Sequence, residues 1–178
     1  LLTGGIDKPY AFGLAMALIA KRVRVEFIGS NEIDSPELHS NPRIVFLNLR
    51  GDQRDDASLP VKVRRILTYY ARLIRYAALT RSRVLHILWN NKFEVFDRTV
   101  LMLYYRLLGR KIALTAHNVN AGKRDANDSR LNRLTLKIQY RLADHIFVHT
   151  EKMKAELVED FWVREGAVTV IPLGFNNS

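Results

Sequence analysis

Three short segments carry residues that could do chemistry, and each follows a run that reads as a β-strand. Thr-Ala-His-Asn at 115–118 sends a strand straight into His117 and Asn118. An imidazole at a strand end can hydrogen-bond hydroxyls and titrates near neutrality. A polar residue there is more readily functional than one on a helix face, since burial would leave it short of partners. Asn118 either contacts a ligand or shapes the turn, as asparagine often does. Leu-His-Ile-Leu-Trp-Asn at 85–90 offers Trp89 and Asn90 just past another strand, an aromatic platform and an amide suited to a sugar or an acceptor. Trp89 would equally fit beneath the next helix. His86, inside the run, reads as a hydrogen-bonded core histidine. Thr-Gly-Gly at 3–5 precedes the first helix. Gly4 and Gly5 would let the backbone approach a phosphate at that helix N-terminus, or would simply make a tight turn.

Other chemistries are absent from the sequence. There is no cysteine, so no disulfide, thiolate nucleophile or cysteine metal ligand. The five histidines show no HExxH spacing, and His145 and His149 flank a strand instead of sharing a helix face; no metal site is expected. GxSxG is missing. GxGxxG is missing too, and Gly29-Ser30 follows the second strand where a dinucleotide-binding fold would place an acidic residue.

The elements that must position these segments follow from the pattern of apolar residues. Runs at 23–28, 44–47, 84–87, 112–115, 146–148 and 168–171 are short and rich in β-branched residues, several apolar at nearly every position, as in strands covered on both faces. Helical patterns fill 10–20, 60–80, 97–108, 131–142 and 151–161. Within 60–80, Val63, Ile66, Leu67, Tyr70 and Ile74 form one apolar stripe. Alternation of strand and helix over short connections predicts βαβ units and an α/β fold with a parallel, doubly wound, Rossmann-like sheet. Ligands of such sheets bind beyond the carboxyl ends of the strands, where His117, Trp89 and Gly4 fall.

The chain of 178 residues is long enough for one domain with a substantial core, and 48% of it is hydrophobic. Its Lys and Arg number 28 against 18 Asp and Glu, a net charge of +10. That surplus implies an anionic partner. No apolar run approaches the ~18 residues that span a bilayer. The opening Leu-Leu-Thr reads as the tail of a strand and the closing residues as a turn, so the sequence is expected to be a fragment at both ends.

The order of segments resembles the amino-terminal domain of glycosyltransferase family 4, the large retaining GT-B family. The resemblance rests on the Gly-Gly loop, His-x-x-Trp at 86–89, Thr-x-His-Asn at 115–118, Val-His-Thr-Glu with Leu157 downstream, and Val-Ile-Pro-Leu-Gly-Phe-Asn at 170–176. It implies an acceptor-side Rossmann-like domain over 1–174, with 175–178 beginning the crossing to a carboxyl-terminal donor domain. Gly4 and Gly5 would lie against the donor diphosphate, and His117 would hydrogen-bond the transferred sugar. Family members commonly carry Val-Asp where this chain has Phe175-Asn176. The family's diphosphate-neutralising basic residues and paired glutamates belong to the donor domain, so residues 1–178 alone should be inactive. Retaining transfer, in which the departing phosphate helps take the acceptor's proton, asks for positioning more than for a strong protein base. The implied enzyme is a hexosyltransferase using a nucleotide sugar and a hydroxyl acceptor, lipid-linked or a growing polysaccharide, with no cofactor.

Lys62, Arg64, Arg65, Arg72, Arg75, Arg81 and Arg83 crowd the 60–80 helix and its exit, with Tyr69, Tyr70 and Tyr76 among them. Lys62, Arg65, Arg72 and Arg75 could face an anionic membrane, which would make the protein cytoplasmic and peripheral on the inner face; a solvated helix face fits equally. A GT-B-fold epimerase and a non-enzymatic basic binding module remain as alternatives. Stacking on nucleic acid is disfavoured because most aromatics sit on apolar faces.

Overall fold

A computed structural model describes residues 1–4 and 8–173. Its contacts form two compact units, Leu1–Ser82 and Arg83–Ser178, each an α/β layer around a parallel sheet. Mixed α/β architecture with parallel, Rossmann-like strands is therefore what the chain adopts.

In the first unit, β1 (Val25–Gly29) pairs in parallel with β2 (Ile44–Asn48), Val25 opposite Ile44 and Gly29 opposite Asn48. Leu2 forms a parallel bridge to Ile28, so the residues read as a strand tail do lie along β1. Helix α1 (Lys8–Ala20) buries Ala11, Ala15 and Ile19. Gly29 ends β1 because nothing larger fits: a Cβ there would stand 2.6 Å from Ile33 Cδ1 and 2.7 Å from Phe46 Cε2. A short helix α2 (Pro36–Ser40) follows, its Pro36 at the first turn, where a missing N–H costs nothing.

Helix α3 (Leu59–Leu79) corrects the apolar stripe expected from the sequence. It buries Tyr69, Tyr70, Leu73 and Ala77, while Val63, Leu67 and Ile74 are exposed at 46%, 57% and 37%. Two stripes of apolar residues run along this helix, and periodicity alone does not say which one meets the core. Arg64, Arg72 and Arg75 are exposed and Lys62 half-buried. Arg65 turns back onto its own unit, donating to the Arg54 carbonyl at 3.1 Å and pairing with Asp52 at 3.4 Å.

The second unit contains a four-stranded sheet in simple sequential order: β3 (Val84–Ile87), β4 (Lys111–Thr115), β5 (His145–Val148) and β6 (Val168–Val170), all parallel. Its core includes Leu85, Ile112, Leu114, Ile146, Val148, Tyr105 and Leu157, each at most 5% exposed. The crossing from β3 to β4 begins with one turn, α4 (Glu94–Phe96), widens into a π-helical stretch at Asp97–Leu101, and continues as α5 (Met102–Leu107). The segment after His117 holds another turn, α6 (Ala121–Arg124). Helices α7 (Arg130–Leu142) and α8 (Glu151–Phe161) complete the unit; Ser129 and Thr150 cap them by accepting from the N–H groups of Asn132 and Met153.

Among the described residues, no helix is long and apolar enough to cross a membrane.

Candidate functional site

Because the four strands of the second unit are parallel and aligned, their carboxyl ends deliver successive side chains to one edge. Trp89 lies two residues beyond β3, His117 two beyond β4, His149 one beyond β5 and Ile171 one beyond β6. The pairing continues past the strands: Ala116 N–H donates to the Phe147 carbonyl at 2.8 Å, and Ile171 N–H to the Val148 carbonyl at 2.7 Å.

Trp89 and His117 are stacked, with ring centroids 4.3 Å apart and planes 2° from parallel. Such a pair is worth about 0.5–1.5 kcal/mol beyond the area it buries. His149 approaches His117 from the side, its Nε2 3.1 Å from His117 Nδ1. His149 is buried, and its Nδ1 lies 3.0 Å from the Ile171 carbonyl oxygen. His117 Nε2 is shielded from solvent. Sequence spacing alone gives His149 no role, though the rule that singles out His117, a polar residue just past a strand end, applies to it as well.

Beneath this row, His86 pairs through Nε2 with Thr115 Oγ1 at 2.8 Å and stacks on Phe147. Burial lowers its pKa to about 4, so it is a neutral core histidine, as its place inside the strand suggested.

Asn90 is occupied at both ends. Its Nδ2 donates to Gln139 Oε1 at 3.3 Å, and its Oδ1 accepts from Gln139 Nε2 at 2.8 Å. Gln139 is 2% exposed, so this reciprocal amide pair fastens the segment after β3 to α7. Next to it, the Asn91 N–H donates to Asp97 Oδ2. Arg98, on the π-helical stretch and 8% exposed, donates to Asn132 Oδ1 at 2.9 Å and Thr135 Oγ1 at 3.2 Å, and pairs with Glu94 at 3.2 Å. Asn132 passes the connection on, donating to Asn120 Oδ1 at 2.8 Å and Asp128 Oδ1 at 3.0 Å. Asn120 in turn accepts from the Lys123 N–H and caps α6. Gly122 is required here, since a Cβ would stand 2.7 Å from Asn132 Nδ2. The segment that follows His117 is thus held by α7 through Asn132, and through Tyr140, whose hydroxyl donates to the Val119 carbonyl.

His117 and Asn118 stand at the head of a groove of about 560 Å³ that runs between α6 and α8. Asn118 is exposed and its Oδ1 accepts from Arg124 at 3.3 Å. Lys123, Arg124 and Lys152 line the groove together with Glu156, Glu159 and Asp160. Mixed donors and acceptors at close spacing suit a polyhydroxylated ligand better than a simple anion, which would meet the α8 carboxylates.

The remaining sequence-derived residues lie in the first unit or outside the described chain. Gly4 has φ +65°, a conformation that favours glycine, directly after Thr3, whose Oγ1 donates to the Ile28 carbonyl at 2.7 Å. Gly5 lies outside the described residues, as do Gly174, Phe175 and Asn176. Arg72 and Arg75 line a separate groove of about 870 Å³ with Arg24 and Arg81.

Comparisons with known proteins bear on the family and the fold. A family model described as Glycosyltransferase Family 4 matches residues 8–178. Among solved structures, the chain is similar to one titled "Crystal structure of LpCGTa in complex with UDP", with 14% identity and a TM-score of 0.53. The match covers 96% of this chain and 51% of that one, so this chain spans about half the length of its structural relative. No curated protein matches the sequence.

Proposed function

From the premise that this chain belongs to glycosyltransferase family 4, we propose that it is the acceptor-side half of a retaining hexosyltransferase, which moves a sugar from a nucleotide-sugar donor to a hydroxyl acceptor. The observation that carries this reading is the convergence of Trp89, His117 and His149 at the carboxyl edge of a parallel sheet, above a groove rich in hydrogen-bonding side chains. Ligands of doubly wound sheets bind at that edge.

In this reading His117 hydrogen-bonds the sugar or the attacking hydroxyl, and Asn118 with the α6 and α8 side chains holds the acceptor. Trp89 and Asn90 act one step back: Trp89 fixes the imidazole plane, and Asn90 anchors the segment that carries Trp89. Gly4 and Gly5 approach the donor diphosphate. The neutralising groups for that diphosphate belong to a donor domain, so residues 1–178 by themselves bind acceptor without transferring sugar. No metal enters the scheme. The acceptor is lipid-linked or a growing polysaccharide, and the cationic face of α3, with Lys62, Arg72 and Arg75, rests on an anionic membrane surface on the cytoplasmic side.

The test is transfer of labelled sugar by the protein that joins this chain to its donor domain, beginning with uridine diphosphate sugars because the similar solved structure is a complex with UDP. Product with the donor's anomeric configuration retained supports the reading. Inverted product, or hydrolysis and epimerisation without transfer, overturns it.

A further inference from the structure

We infer that His149 is a positioning residue: it decides which nitrogen of His117 carries the proton. The inference rests on the reading of His117 as the site's working residue, and it deepens that reading by naming the kind of group His117 can meet.

The Ile171 carbonyl oxygen lies 3.0 Å from His149 Nδ1. A carbonyl oxygen only accepts, so Nδ1 of His149 must carry a proton. In a neutral imidazole the other nitrogen then holds a lone pair. That nitrogen, Nε2, lies 3.1 Å from His117 Nδ1, so the hydrogen bond between the rings runs from His117 Nδ1–H to His149 Nε2. His117 is left with its lone pair on Nε2. Hydrogen bonding at one ring nitrogen sets the role of the other, and here the setting passes through two rings from a single backbone carbonyl. Ile171 is itself held by its N–H to the Val148 carbonyl at 2.7 Å, and His149 is 8% exposed, so the relay has little freedom to rearrange.

The consequence is chemical. A neutral His117 with its lone pair on Nε2 accepts a hydrogen bond there and cannot donate one. A phosphate oxygen, which needs a donor, finds none at that atom. A sugar or acceptor hydroxyl that displaces the cover over this solvent-shielded atom does find its acceptor. His117 therefore addresses a hydroxyl of the reacting sugar or of the acceptor, and leaves the diphosphate to other groups.

Nitrogen-15 NMR of the histidine rings in the full chain tests this, at a pH where both rings are neutral. Histidine in water favours the Nε2–H tautomer, so Nδ1–H at both His117 and His149 is a distinctive signature. We expect it in the unsubstituted chain. In His149→Phe, which keeps the ring but removes both nitrogens, His117 should revert to Nε2–H. His149→Gln, whose amide offers one donor and one acceptor at a similar separation, should restore Nδ1–H at His117. If His149→Phe does not fold, the unsubstituted chain and His149→Gln still decide the matter. An Nε2–H tautomer at His117 in the unsubstituted chain overturns the inference.

The functional reading fails separately. Should the tautomers be as described while His117→Ala leaves sugar transfer by the joined protein unchanged, the relay stands and His117 is not the working residue. In that protein, His149→Phe should lower kcat at least about tenfold, on the scale of a transition-state hydrogen bond, with KM little changed. His149→Gln should recover most of the loss, which a merely space-filling role for His149 would not predict.

Discussion

The indole of Trp89 and the imidazole of His117 lie face to face, 4.3 Å between centroids and 2° from parallel, although 28 positions separate them in the chain. Two adjacent parallel strands, each overrun by two residues, are what bring them together. Trp89 therefore sets the plane in which His117 presents its nitrogens. Trp89→Leu should cost about 1 kcal/mol of stability from the lost ring pair and lower kcat more than it raises KM, whereas Trp89→Phe, which keeps a ring to stack on, should retain most activity. A larger effect on KM than on kcat would mean that Trp89 contacts the acceptor directly. Steady-state kinetics of the protein that joins this chain to its donor domain, with varied acceptor, separates the two.

His86 gives the fold a measurable acid sensitivity. Its pKa falls from the ordinary 6.5 to about 4 through burial, so the folded state binds fewer protons than the unfolded one across that interval. Stability from this group is complete above pH about 6.5 and is lost as pH falls towards 4. His86→Gln, which retains a partner for Thr115, should flatten the decline of the denaturation midpoint over that window. An unchanged pH profile would show that His86 titrates normally.

Gly122 tests the support beneath the groove. A methyl group there meets Asn132 Nδ2 at 2.7 Å, Asn132 Cγ at 3.2 Å and Asn120 Oδ1 at 3.3 Å. Asn132 cannot simply swing away, because Arg98, Asn120 and Asp128 all hold its amide. Gly122→Ala should destabilise by about 1–3 kcal/mol, the usual cost of overpacking. Urea denaturation measures it, and a neutral result would mean that α6 shifts freely.

The cationic face of α3 separates two fates for its arginines. Arg72 and Arg75 are exposed, while Arg65 is tied to Asp52 and the Arg54 carbonyl. Co-sedimentation with vesicles containing anionic lipid should be weakened by Arg72→Glu and Arg75→Glu, and by added salt as screening grows. Arg65→Glu should instead loosen the 52–54 loop. Absence of binding at low salt would leave α3 as a solvated helix.

Much of this architecture is legible in the sequence because it depends on local pattern. The strand runs at 84–87 and 112–115 appear almost at their observed bounds, and the strand-end rule leads directly to His117. What escaped depends on partners distant in the chain. The Arg98 network draws on Glu94, Asn132 and Thr135, and nothing in the spacing of those residues announces that they meet. Periodicity misplaces the buried stripe of α3, because Val63, Leu67 and Ile74 are as apolar as the residues that reach the core. His149 was legible in principle, since it follows β5 as His117 follows β4; its pairing with His145 as strand flanks hid it.

The central claim is that His117 is the residue at which this chain engages the reacting sugar or hydroxyl. Turnover of His117→Ala, measured in the protein that joins this chain to its donor domain and checked for folding, tests it most directly. Turnover should fall by about one to three orders of magnitude, the scale of one transition-state hydrogen bond. Turnover equal to that of the unsubstituted protein would contradict it.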